Sequence, residues 1–262
     1  MKQVLTAALV MSLCFTANAQ DADEQHEKKP VAGPTHSSAR DWLFEVAMYG
    51  WLTALKADTT IGDGATSSID ASIGDVLDVL KFAGFAHAEA RHCRWGFMTD
   101  LTYAKLGDAA RVKLKRGLLR PGIKVDATLT ETIVEAGLFR RFGNENCAFD
   151  LLGGARYFKF QTDIDVGPFT LDPSADWVDP FVGGRYIQKL GERWLLSLRG
   201  DLGGFGAGSD FSINAVAHVR YALSENIDAG FGYRYLDVDY DHDRLEYDSK
   251  THGPVLGIAF KF

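Results

Sequence analysis

After its first 19 residues the chain contains no stretch of the roughly 18 apolar residues that a transmembrane helix needs. That excludes a helical span but leaves open a crossing made by strands, which need only alternate. Proline is scarce, at 7 residues, whereas glycine reaches 27, a balance that suits many strands and tight turns better than long helices. A basic excess is also missing. Lys and Arg number 28 against 35 Asp and Glu, the formal net charge is -7, and a nucleic-acid partner is not expected. Cysteine is sparse as well, with 3 in the whole chain.

What is present begins with a leader. Lys2 provides the positive start, Val4 to Phe15 the apolar run, and Ala17-Asn18-Ala19 an A-x-A cleavage pattern, so residues 1–19 read as a secretory signal peptide. Residues 20–40 are charged and punctuated by Pro30 and Pro34, with no periodicity, which predicts a disordered periplasmic segment. From residue 41 to residue 262 the chain reads as one domain.

That domain alternates. Trp42, Phe44, Val46 and Met48 take one face, with Glu45 and Tyr49 on the other. The same period of two, which marks a strand, recurs over 82–91, 95–105, 128–142, 148–160, 177–189, 194–204, 211–223, 227–237 and 252–262. About ten strands result, with eight as the alternative. Their connections sort by length. Those at 92–94, 143–147, 191–192 and 224–226 are short, while 53–81, 106–127, 161–176, 205–210 and 238–250 are long. Strict alternation of short and long is the periplasmic-turn and extracellular-loop pattern of an outer-membrane barrel. The fold class expected is therefore all-β, a transmembrane antiparallel up-and-down β-barrel. The segment 53–81 has room for a hairpin around Thr59–Ile61 and Ser67–Ala71. It also has room for a helical turn at 75–80 whose Val76, Leu77, Val79 and Leu80 pack inward. It would cap the mouth, enter the lumen or extend one wall.

The last strand carries the same pattern. Leu256, Ile258, Phe260 and Phe262 point one way, and Gly253, Val255, Gly257, Ala259 and Lys261 the other. A greasy face on a terminal strand would be a hazard in a soluble sheet but is suited to lipid in a closed barrel. Pro254 cannot donate to a ladder, so pairing is expected to start at Val255 or to be bulged there.

The segments Arg199 to Gly206, Gly232 to Tyr240, His252 to Phe262 and Arg91 to Gly96 together resemble a family of Gram-negative outer-membrane barrels. More loosely, the chain is similar to the OmpA- and OmpW-type small barrels. The resemblance implies outer-membrane location, contact with outer-membrane lipid and lipopolysaccharide, and recognition of the last strand by the barrel-assembly machinery. It implies no cofactor and no biochemical role for particular residues.

The inward parity collects a lumen polar network of balanced sign: Glu45, Glu89, Asp100, Glu135, Asp150, Asp179, Asp201 and Asp228 against Arg91, Arg141, Arg156, Arg185, Arg199, Arg220 and Arg234. Such groups either form a paired plug, as burial demands, or line a narrow solute path. The leading expectation is a non-enzymatic barrel with a mostly closed lumen, serving envelope structure or surface interaction. A porin-like passive channel is the alternative, and a rim-site enzyme using Asp237, Asp239, Asp241, His242 and their neighbours is the second. Asp239-x-Asp241-x-Asp243 also has the spacing of a weak cation site but lacks the glycine and terminal Glu of an EF-hand loop. Arg111, Lys113, Lys115 and Arg116 form a basic patch in an outer loop, facing either lipopolysaccharide phosphates or water. Cys93 and Cys147 lie in turns two strands apart. The oxidising compartment favours a disulfide, and a separation of roughly 10 Å opposes it.

Overall fold

Alternation over long stretches produces strands, and here the strands outrun the sequence pattern. The computed structural model describes residues 42–61, 65–107, 125–166, 169–171, 174–242 and 245–262. The leader, the 20–40 segment and the basic patch lie outside the described residues. The elements are β1 (Trp42–Trp51), β2 (Ala54–Ile61), β3 (Ala65–Ala71), α1 (Ile73–Val79), β4 (Leu80–His92), β5 (Trp95–Leu106), β6 (Val125–Gly143) and β7 (Cys147–Val166). They continue as β8 (Phe169–Leu171), β9 (Ser174–Leu190), β10 (Trp194–Gly204), β11 (Phe211–Ala222), β12 (Ile227–His242) and β13 (Leu245–Lys261).

Ten of these strands form the wall, each antiparallel to its neighbour, in the order β1-β4-β5-β6-β7-β9-β10-β11-β12-β13. Pairing of β1 with β13 closes it, from Glu45 opposite Lys261 to Trp51 opposite Val255. Reciprocal bonds between Phe44 and Phe262 (3.2 and 2.9 Å) seal the end of that seam. Closure leaves no edge along the membrane-spanning wall, which lipid requires.

The outer face of the wall is an apolar belt. Trp42, Met48, Trp95, Leu138, Leu151, Val182, Phe231 and Ile258 all expose large apolar side chains. Along β5 the belt runs from Trp95 to Tyr103, and along β12 from Ile227 to Tyr235, about the length a tilted strand needs to cross the hydrocarbon core. Aromatic rings mark both margins. Trp194 meets Tyr221 at 4.8 Å near the short turns, and Phe82 meets Tyr103 at 5.8 Å near the long connections.

Beyond Tyr103, Tyr157 and Tyr235 the pattern inverts. The outward positions become Lys105, Thr132, Lys159, Asp237, Asp239 and Lys250, while Trp51, Ile133, Phe158, Trp177, Leu236 and Val238 are buried inside. The reason is the change of solvent. Between the girdles the outside is lipid, and past the outer girdle it is water, so the interior there becomes an ordinary apolar core.

This inversion corrects several expectations. Residues 161–166 and 238–250 are mostly strand rather than loop, since β6 pairs with β7 up to Val125–Val166 and β12 with β13 up to His242–Leu245. Of the three arrangements open to 53–81, the structure extends one wall. β2 pairs with the outer half of β13 and carries β3 with it, and α1 follows, capped by Ser72, whose Oγ accepts from Asp75 N at 3.3 Å. Val76 is buried there, but Leu77 is exposed.

Pairing on β13 does not stop at Pro254 either. The strand changes partner from β1 to β2 at that point, where the chain kinks through Leu52 and Thr53. Pro254 O accepts from Leu52 N at 3.0 Å, so its missing N–H falls on the side where β1 has ended and β2 has not yet begun. Gly253 is required beside it, because a Cβ there would lie 1.8 Å from Leu52 O.

Candidate functional site

The inward faces between the two girdles carry the charged side chains, and the register places them in three tiers. Nearest the short turns, Arg220 pairs with Glu45 and Lys261 Nζ lies 2.6 Å from Asp228. Arg220 Nε stands 3.8 Å from the same Asp228. Next, Arg185 bridges Glu89 and Asp150, and Arg141 grips Asp150 with two bonds of 2.7 and 2.8 Å. His87 stands between Glu89 (3.0 Å) and Asp100 (3.3 Å).

The third tier crosses the barrel. Glu135 on β6 receives Arg156, Arg199 and Arg234 at 3.1, 2.7 and 3.0 Å. Asp201 receives Arg156 at 2.6 Å and Arg199 at 2.8 Å, with Asn214 Nδ2 donating to its second oxygen at 2.9 Å. Arg234 also reaches Asp100 at 3.2 Å, and Tyr49 donates to that carboxylate at 2.8 Å. Strands β1, β5, β6, β7, β10, β11 and β12 all contribute, so the tier is a plate spanning the lumen. It is fully packed, for Arg156, Glu135 and Asp201 are each within 2 % of complete burial. Charges so placed are tolerable only in pairs, and here the pairing carries the plate although Arg156 Nη1 and Arg199 Nε are buried with no hydrogen-bond partner among the described residues.

Above the plate the lumen is filled by rings. Trp177 stacks on Phe158 at 5.1 Å, on Phe160 at 5.5 Å and on Tyr240 at 4.2 Å, and Tyr247 closes on Phe160 at 5.0 Å. A smaller cluster of Met98, Phe139, Leu152 and Phe181 packs beside the plate, with Arg185 over Phe139 and Arg156 over Phe181. Below the plate the barrel holds a vestibule of about 610 Å³, lined by charged groups such as Glu45, His87, Glu89 and Arg185 together with apolar ones such as Ala47, Ile187 and Val216.

Two inward residues stand apart. Among the described residues Asp179 meets no arginine. It accepts from Ser209 N at 2.7 Å and from the Ser209 hydroxyl, pinning the 205–210 turn into the barrel, where Trp177 Nε1 also donates to Ser209 Oγ at 3.2 Å. Arg91, at the inner margin, donates to Cys93 O at 2.9 Å. Cys93 is exposed in the β4–β5 turn and Cys147 is buried at the head of β7, 3.8 Å from the Tyr186 hydroxyl, with β5 and β6 intervening.

Tyr49, His87 and Asn214 are part of the network although they carry no fixed charge. Their inward parity was the available signal. The aromatic fill had a signal too, in the switch of apolar residues from odd to even positions between Tyr235 and Leu236 and between Tyr157 and Phe158. At the outer rim Asp237, Asp239 and Asp248 face the outside of the wall. Tyr235 donates to Asp237 at 2.6 Å, and Lys250 Nζ lies 3.1 Å from Asp248 and 3.5 Å from Asp237. Among the described residues no group of His, Cys, Asp and Glu is arranged to hold a metal ion.

A closed antiparallel wall, a lipid-facing belt and a paired polar interior define a transmembrane β-barrel of the bacterial outer-membrane type. No family model and no curated protein matches the sequence. Among solved structures, the outer-membrane protease OmpT from Escherichia coli superposes with a TM-score of 0.55 at 9 % identity, over 87 % of this chain and 99 % of that one. Ail, the attachment invasion locus protein of Yersinia pestis, matches at a TM-score of 0.35 and 12 % identity, over 85 % and 99 % of the two chains. The likeness to OmpT is one of fold alone.

Proposed function

We propose that this chain is a non-enzymatic outer-membrane barrel with a closed lumen, contributing to envelope structure and to contacts at the outer surface. The observation that supports this most is the Glu135–Arg156–Asp201 plate roofed by Trp177 and Phe158, which packs paired charges and stacked rings across the lumen. Lys56, Lys105, Lys159 and Lys250 stand on the outer face just past the girdle, at the level of lipopolysaccharide phosphates, and suit that partner. The alternating apolar face of β13 suits recognition by the assembly machinery during insertion.

The vestibule gives the passive-channel reading its one support, since solute could enter from the short-turn end. Planar-bilayer recording decides between the two. The purified, refolded protein is expected to be silent, and discrete openings would show that the plate is a filter rather than a plug.

A further inference from the structure

A second cavity, of about 240 Å³, lies between the outer end of β1, the start of β2, α1, the outer parts of β4, β5 and β6, and β13 at Thr251. It exists because the wall changes partners there. β13 passes from β1 to β2 at Gly253–Pro254, β4 has β1 partners only as far as Phe85, and α1 spans the interval between β3 and β4. Its walls are apolar and aromatic, with Trp51, Leu55, Val76, Leu80 and Phe85 prominent.

One acidic side chain faces this space. Glu131 sits on the inward side of β6, past the outer girdle, and among the described residues nothing forms a hydrogen bond or ion pair with its carboxyl. The contrast with Glu135, which holds three guanidinium groups, is sharp. A carboxylate left in apolar surroundings without a partner is costly, and a ligand can supply what the protein does not. The cavity exceeds the ~150 Å³ void that accepts benzene, so a single ring with a short arm fits. The Trp51 ring already carries the Arg234 guanidinium at 4.8 Å, so it is the Phe85 ring beside the carboxylate that favours a cation over a neutral guest. Trp51 Nε1, in the same wall, is also buried without a partner.

We propose that this cavity binds a small hydrophobic amine, its ammonium paired with Glu131 and its apolar body held among Trp51, Leu55, Val76 and Phe85. Leu77, which lines the cavity while 44 % exposed, marks the entrance. The site depends neither on whether the lumen conducts nor on its role in the envelope.

Burial raises the Glu131 carboxyl to about 7, with Arg234 on β12 pulling it only part of the way back. The other titratable group facing it is Tyr247 on β13, whose hydroxyl is pushed well above its ordinary value by burial. Arginine stays cationic and that tyrosine stays neutral across the range, so Glu131 alone changes charge, and amine affinity fades as pH falls through about 7.

The test is isothermal titration of 2-phenylethylamine into the refolded full chain in micelles, against empty micelles, with 2-phenylethanol and 3-phenylpropanoate as neutral and anionic counterparts. At about pH 8 the amine is expected to bind at least about tenfold tighter than the alcohol, as one charge-assisted bond allows, and the acid not at all. Glu131→Gln should erase the preference and Leu55→Trp, which fills the cavity, should abolish binding. Absence of amine binding, equal affinity for amine and alcohol, or a preference that survives Glu131→Gln overturns the proposal. Should that variant refold poorly, the native chain carries the same test, since an amine preference unchanged between about pH 8 and about pH 5.5 also overturns it.

Discussion

Glu135 and Glu131 are the same residue type on the same inward face of β6, separated by the buried Ile133. Their situations are opposite because their partners are. Glu135 lies where β7, β10 and β12 each deliver an arginine, whereas Glu131 lies past the girdle, where the facing side chains are apolar. Replacing Glu135 with Ala leaves three guanidinium groups sharing too few carboxylates in a dry plate. We expect Glu135→Ala to destabilise the barrel by about 3 to 5 kcal/mol, read as a fall in the urea midpoint of the refolded protein. A loss below about 1 kcal/mol would mean that water reaches the plate and screens it. The two glutamates share one parity on β6, but no property of the strand itself says which one is paired.

The β13 strand shows how much an element depends on its neighbours. Pro254 read as a point where pairing should fail, yet the strand runs from Leu245 to Lys261 because the proline sits opposite the break between β1 and β2. The neighbouring glycine is the sensitive position. Gly253→Ala is expected to cost about 2 kcal/mol or more, since Leu52 O occupies the space of the new methyl. Pro254→Ala should stay within about 0.5 kcal/mol of the native chain, because the restored N–H still faces the break. Parallel unfolding curves check both, and a reversed order would show that the strand's handover is not where the register puts it. Ten wall strands and their inner turns were legible from period two and from the alternation of short and long connections. The outer halves of β7, β12 and β13 were not, since their apolar residues change face at the water surface and so read as loops.

At the scale of the molecule, the barrel is inside-out between its girdles and right-side-out past the outer one. The 5 tryptophans report both regimes. Trp42, Trp95 and Trp194 face outward within the belt, at 57, 59 and 49 % exposure, while Trp51 and Trp177 are buried in the interior. Lipids brominated along the acyl chain should therefore quench the first three and spare the other two. Single-tryptophan variants keeping Trp95 or Trp177 resolve the pair, and strong quenching of Trp177 would place the aromatic fill in lipid and refute the inversion.

The sequence by itself determined a closed wall of about ten strands in lipid, because solvent on each face dictates residue type at a period of two, and that pattern is local. It likewise determined which charges point inward. Which carboxylate meets which arginine, the charged plate across the lumen, the pinning of the 205–210 turn by Asp179 and the pocket left beside β1 were decided only by the tertiary structure. Each depends on the stagger between strands distant in the chain and on what the facing wall supplies across the lumen, and neither is encoded in the alternation of a single strand.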